Sequence, residues 1–156
     1  MRLTFLSHFI ISLAVAAAAF FAQENGVFAT IWANDQSHMT SAIAALFVGT
    51  VLWLGWQAWR ADDPPKVLTP GRISVYAFLR GADASFGHLA ERLAVMMGFV
   101  GTAIGLALQA KALAGGATSF TALATSLYTT ASGGTAAALI AVMTWALEQG
   151  IARARQ

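Results

Sequence analysis

The sequence predicts an all-α integral membrane protein with four membrane-crossing helices, and three observations carry that prediction. Of 156 residues, 58% are hydrophobic and only 10% are charged, whereas a soluble domain carries about 25% charged residues. So few charges cannot cover a surface that faces water. The apolar residues also fall into four runs, at about residues 3–22, 40–59, 93–113 and 119–147, each about long enough to cross a bilayer core. Finally, the basic residues segregate. In a four-pass chain Arg2, Arg60, Lys66, Arg72, Arg80, Arg92, Arg153 and Arg155 fall on one side and only Lys111 on the other. Cytoplasmic loops carry the excess of Lys and Arg, so the N- and C-termini are expected in the cytoplasm. The length suits a single membrane domain, residues 1–156.

The first run, Leu3 to Ala22, is read as an uncleaved helix. Its Ala-rich stretch near Ala19 has the character of a signal-peptide cleavage site, but one Arg makes a thin basic region and Phe20-Phe21 interrupts the small residues. His8 is read as an interfacial or packing residue of this helix. Gln23 to Met39 is a polar connector in which Val27 to Trp32 is apolar and suited to the interface. Asp35 or Ser37 is the expected N-cap of the second helix. That helix ends with Trp53, Trp56 and Trp59 at spacing three, an interfacial belt, and then Arg60.

Residues 61–90 form the sizeable hydrophilic segment, expected in the cytoplasm. Asp62-Asp63-Pro64-Pro65 stops the preceding helix. Thr69-Pro70-Gly71 is a second break, and Arg72 to Arg80 suits a short amphipathic helix ended by Gly81. About thirty residues are too few for an independent folded domain. Asp83 or Ser85 is placed to cap the third long helix, expected from about Ala84 to Leu113. Ala114-Gly115-Gly116-Ala117 makes a tight turn, and the fourth helix runs from about Ser119 to Ala152, with basic residues suited to its C-terminus.

Several function classes are excluded. There is no cysteine, hence no disulfide, thiolate metal site or Cys nucleophile. No metal-ligand cluster, phosphate-binding loop, Ser-His-Asp order or nucleic-acid motif is visible. Gly98 to Gly105 lacks the preceding strand that a dinucleotide site needs. Neither enzyme activity nor a cofactor is expected.

What the last two helices carry is unusual for lipid-facing segments. The first has Gly98-Phe99-Val100-Gly101-Thr102-Ala103-Ile104-Gly105, the second Ser126-Leu127-Tyr128-Thr129-Thr130-Ala131-Ser132-Gly133. Gly98, Gly101, Gly105, Ala131, Gly133 and Gly134 are read as helix-packing residues, because small side chains let membrane helices approach closely. Thr102 and Thr130 each lie fourteen residues from Gly116, about 21 Å along their helices. An antiparallel pair would hold their hydroxyls at similar depth. A lone membrane threonine bonds its own i−4 carbonyl, whereas two at matched depth among small residues suit a narrow polar path. No carboxylate lies deep in any apolar run, yet a proton or sodium path uses an ionisable carrier. If ions pass, a partner brings it.

These two segments resemble the "LGLLGTVIG" and "AL-x-TTA-x-G" motifs of the MotA/TolQ/ExbB proton-channel family, in order and in adjacent helices, over about Leu89 to Glu148. The resemblance implies a homopentamer whose hairpins line a central space. That space would hold a dimer of a single-pass MotB/TolR/ExbD-like subunit carrying a transmembrane aspartate. It implies that Thr102 and Thr130, with Thr129 adjacent, face that aspartate, that ion flow drives rotation, and that the location is the bacterial inner membrane. The chain departs from the family in having Ala138-Leu139-Ile140 where many relatives place a proline, and Phe99 and Ala103 where Leu and Val are frequent. The segment 61–90 is far smaller than a flagellar stator's rotor-binding domain, so a task other than flagellar torque is expected. The alternative is a non-conducting membrane scaffold of the same fold that holds a partner or lipid.

Overall fold

A computed structural model describes residues 3–61, 83–116 and 118–154. The predicted breaks at 62–65 and 69–71 and the amphipathic stretch 72–80 lie outside them. Among the described residues the chain is all helical: α1 (Leu3–Glu24), α2 (Val27–Asn34), α3 (Met39–Ala61), α4 (Asp83–Ala114) and α5 (Phe120–Ala154). Four of these, all but α2, are long and apolar enough to cross a membrane. The interfacial stretch after α1 is therefore a separate short helix. Gly26 makes this possible, because its φ of 69° ends α1 in the left-handed conformation. Its amide donates to the Gln23 carbonyl at 2.9 Å, and α2 restarts immediately.

The linker from α2 to α3 is held by Asp35. One carboxylate oxygen accepts from the amide and hydroxyl of Ser37, the other from the Thr40 amide at 2.8 Å. The Ser37 hydroxyl in turn accepts from the Met39 amide. The N-cap position itself falls on His38, at φ 57°, and the two residues expected there, Asp35 and Ser37, accept the first amides of α3 from farther back. At the far end of α4, Gly115 and Gly116 make the tight turn. Gly116 has a φ of 75°, and both amides donate to carbonyls of the last α4 turn.

One of the five described helices organises the packing. Helix α5 touches each of the other described helices, while α1 packs mainly on α2, α3 and α5 and buries the smallest share of its span. Phe5 of α1 meets Trp59 of α3 edge-on, with centroids 5.0 Å apart. Thr4 packs at Gly150, and His88 of α4 meets Glu148 of α5. The starts of α1 and α4 and the ends of α3 and α5 therefore share one end of the bundle. Arg60, Arg92 and Arg153 belong to that end, and Lys111 to the other.

The core has two parts. Ile43, Ala90, Ala94, Ala136, Ala137 and Ile140 join α3, α4 and α5, and Leu54, Ala58, Met143 and Leu147 join α3 to α5 nearer the basic end. The tryptophans of α3 take part in this packing. Trp53 lies against Trp56 and Phe86, at 5.2 and 5.5 Å between centroids, and Arg60 sits over the Trp56 ring. His8 is buried, with Nε2 3.3 Å from the Val51 carbonyl oxygen. It is a packing residue between α1 and α3.

Candidate functional site

Small residues set the distance between α4 and α5. A Cβ added at Gly133 would stand 2.7 Å from the Ala94 carbonyl oxygen and 2.8 Å from the Gly98 Cα. One at Gly101 would stand 2.6 Å from the Thr129 Cβ, and one at Gly105 2.7 Å from the Ser126 amide. No side chain fits at these crossings, so the two backbones touch. Of the residues read as packing residues, Gly98, Gly101, Gly105 and Gly133 lie in this seam. Ala131 and Gly134 do not: Ala131 is exposed, and Gly134 has no heavy atom within 4 Å of a built Cβ. Inside this chain these two pack against nothing, because a helix seam is narrower than the run of small residues in the sequence.

The close seam brings the hydroxyls of Thr102 and Thr130 into contact. Thr130 Oγ1 also donates to the Ser126 carbonyl at 2.7 Å, and Thr102 Oγ1 to the Gly98 carbonyl at 2.8 Å, with the Ser126 carbonyl 3.4 Å away. Two hydroxyls hold two protons and four acceptor lone pairs. Both protons are used within the cluster, so the pair turns mainly acceptor capacity outward. Thr130 is exposed and Thr102 half-buried, which leaves those lone pairs open on the surface of the hairpin. Such a pair suits a hydrogen-bond donor, such as water, a hydrated proton or a protonated carboxyl, or a bare cation that takes lone pairs.

Thr129 stands apart from this pair. It is 0% exposed, and its hydroxyl donates to the Thr125 carbonyl at 2.8 Å behind the surface that Thr130 presents. The sequence places Thr129 and Thr130 side by side, yet adjacent helical residues point about 100° apart.

A second polar group at the basic end is not evident from the sequence. His88 Nε2 lies 2.9 Å from a Glu148 carboxylate oxygen, and Nδ1 lies 3.7 Å from Glu91. Sixty residues separate His88 from Glu148. The available signal was the hairpin itself, since reflection about Gly115-Gly116 brings residue 88 opposite residues near 143. Next to this group Thr144 is fully buried, and its hydroxyl has no hydrogen-bond partner among the described residues.

Comparisons with protein-family models, with curated proteins and with solved structures give no match.

Proposed function

We propose that the chain is the wall-forming subunit of a proton-motive channel or motor complex. Five copies surround a partner's pair of helices, and the Thr102–Thr130 pair faces the partner's carboxylate across the path. The observation that carries this reading is the contact between two hydroxyls from separate helices, open on one side, in a stretch without an ionisable group. A hydroxyl pair whose protons are already committed accepts from a protonated carboxyl and stabilises water beside an ionised one, but it cannot carry a proton by itself. That chemistry complements a partner's aspartate. The motif resemblance over residues 89–148 supports the same arrangement, and a bacterial inner membrane fits the bias of basic residues toward one end. Thr102 and Thr130 line the path in this reading, and Thr129 stands behind them as part of the wall. The open small residues Ala131 and Gly134 lie on the side where another chain would approach.

The test is proton flux in inverted membrane vesicles from the native host, measured above the background of vesicles lacking the chain. Thr130→Val keeps the side-chain shape and removes one hydroxyl. It is expected to abolish flux while the complex still assembles, as judged by its size after detergent extraction. Wild-type flux from the double variant Thr102→Val/Thr130→Val would sink the mechanism.

A further inference from the structure

We propose that His88, Glu148 and Glu91, with Thr144 one turn deeper, form a proton-exchange site at the basic end of the bundle, in line with the Thr102–Thr130 pair. This rests on the ion-path reading above and adds the place where the proton meets the aqueous phase.

Alignment is the first argument. At 3.6 residues per turn, each residue advances about 100° around the helix. Glu148 lies eighteen residues beyond Thr130, about five whole turns, so both point the same way. His88 lies fourteen residues before Thr102 and Glu91 eleven, turned from it by about 40° and 20°. The hydroxyl pair and the His–carboxylate group therefore share one face of the hairpin, about 17–27 Å apart along the helices. Between them on α5 that face carries a lane of small residues, Gly134, Ala137 and Ala141, which runs from the open Gly134 to Ala137 buried in the core, while α4 places Val95 on the same face. Lys111 is turned about 180° from Thr102, and Arg153 about 140° from Thr130.

Thr144 is the second argument. On α5, Thr129 and Thr130 each donate to the carbonyl four residues back, and the Thr125 hydroxyl has the Thr121 and Asn34 carbonyls within reach. Thr144 has no such partner among the described residues, although it is 0% exposed. Its hydroxyl points toward Gly87, the neighbour of His88, so closely that a Cβ there would stand 2.2 Å from Oγ1. A buried hydroxyl left without a partner is destabilising. Its position at the inner edge of the His–carboxylate group gives that hydroxyl something to do: relay or hold water between the lane and Glu148.

The chemistry follows from the contacts. Among the described residues, the charged groups facing His88 are Glu148 from α5 and Glu91 from its own helix, while α3 contributes the Trp53 ring against Phe86. Protonated Glu148 gives its proton to His88 Nε2 and returns to carboxylate. The imidazolium releases its Nδ1 proton directly to the Glu91 carboxylate, which lies 3.7 Å away and reaches hydrogen-bond distance by a small side-chain rotation. Glu91 passes that proton to bulk water, and water reaching the half-exposed ring restores the starting tautomer. Both ring nitrogens face a carboxylate, as a two-way relay needs.

The test uses the same host vesicles, with the Thr102→Val/Thr130→Val chain as reference. His88→Gln and Glu148→Gln are each expected to lower flux by about tenfold or more, with the assembled complex unchanged in size. His88→Ala is expected to lose flux and to regain it in millimolar imidazole, a recovery that a purely structural histidine does not give. Wild-type flux in His88→Gln, with none in the threonine double variant, overturns this site and leaves the ion-path reading standing. Loss of flux in His88→Ala without imidazole recovery overturns it as well and makes the group a clasp. Wild-type flux in the threonine double variant removes both.

Discussion

Gly133 and Gly134 are neighbours on α5 and face opposite surroundings. At Gly133 a methyl group would press on the Ala94 carbonyl oxygen and the Gly98 Cα, both backbone atoms that cannot swing aside. At Gly134 a methyl group would meet nothing within 4 Å. Overpacking a tight seam costs about 1–3 kcal/mol, so Gly133→Ala is expected to destabilise the isolated protomer by that amount in chemical unfolding from detergent micelles. Gly134→Ala relieves the flexible backbone of a glycine within a helix and is expected to unfold no earlier than wild type. An early-unfolding Gly134→Ala would mean that its face is covered within the chain. Nothing in the sequence separates the two glycines. The difference lies in the 100° between adjacent helical positions and in where α4 crosses, which only the packed hairpin decides. The same holds for Thr129 and Thr130.

At the scale of elements, the helix limits were readable because membrane helices end where polar residues, Gly or Pro begin. The expected span 40–59 is Met39–Ala61 in the structure, and the helix expected to start near Ala84 starts at Asp83. That Asp35 or Ser37 would serve the start of α3 was also readable, since such residues favour helix N-termini, although the N-cap position itself falls on His38 at φ 57° and Asp35 reaches the first turn from farther back. What the linker packs against was not. The neighbouring Asn34 carbonyl accepts from the Thr125 hydroxyl at 2.5 Å, and the Gln36 amide donates back to the same hydroxyl at 3.3 Å, a link across ninety residues of chain. Asp35 is 6% exposed. Burial pushes its carboxyl up, but the hydrogen bonds from Ser37 and Thr40 together outweigh burial and hold it below the usual carboxylate range. A carboxyl lowered on folding adds stability above its unfolded pKa and loses it as pH falls through the folded value. Asp35→Ala is therefore expected to cost about 1 kcal/mol near neutral pH. The gap to wild type should close on acidification below about pH 4. A gap that stays constant with pH, measured by unfolding in micelles, would show that the ionised cap is not what holds the linker.

For the whole molecule, the four spans and the terminal hairpin are legible because lipid imposes length and charge rules on any crossing helix. The inward face of each helix is not, because in lipid both faces are apolar and the contrast that marks a water-soluble amphipathic helix is missing. Size marks the inside instead. Much of the core is alanine, at Ala90, Ala94, Ala122, Ala136 and Ala137, while Phe9, Leu52, Phe99, Leu127 and Trp145 stand exposed. That inversion follows from packing, since without a hydrophobic drive between helices close backbone approach becomes the source of attraction. Orientation depends on charge alone, and the chain offers a direct way to test it. With no native cysteine, a single introduced thiol reports its own side without background. Gly115 in the turn and Ala152 near the end of α5 are both exposed and lie at opposite ends of the bundle. Gly115→Cys is expected to react with a membrane-impermeant maleimide in intact spheroplasts. Ala152→Cys is expected to react only after permeabilisation. The reverse pattern would put Arg60, Arg92 and Arg153 outside, against the positive-inside bias.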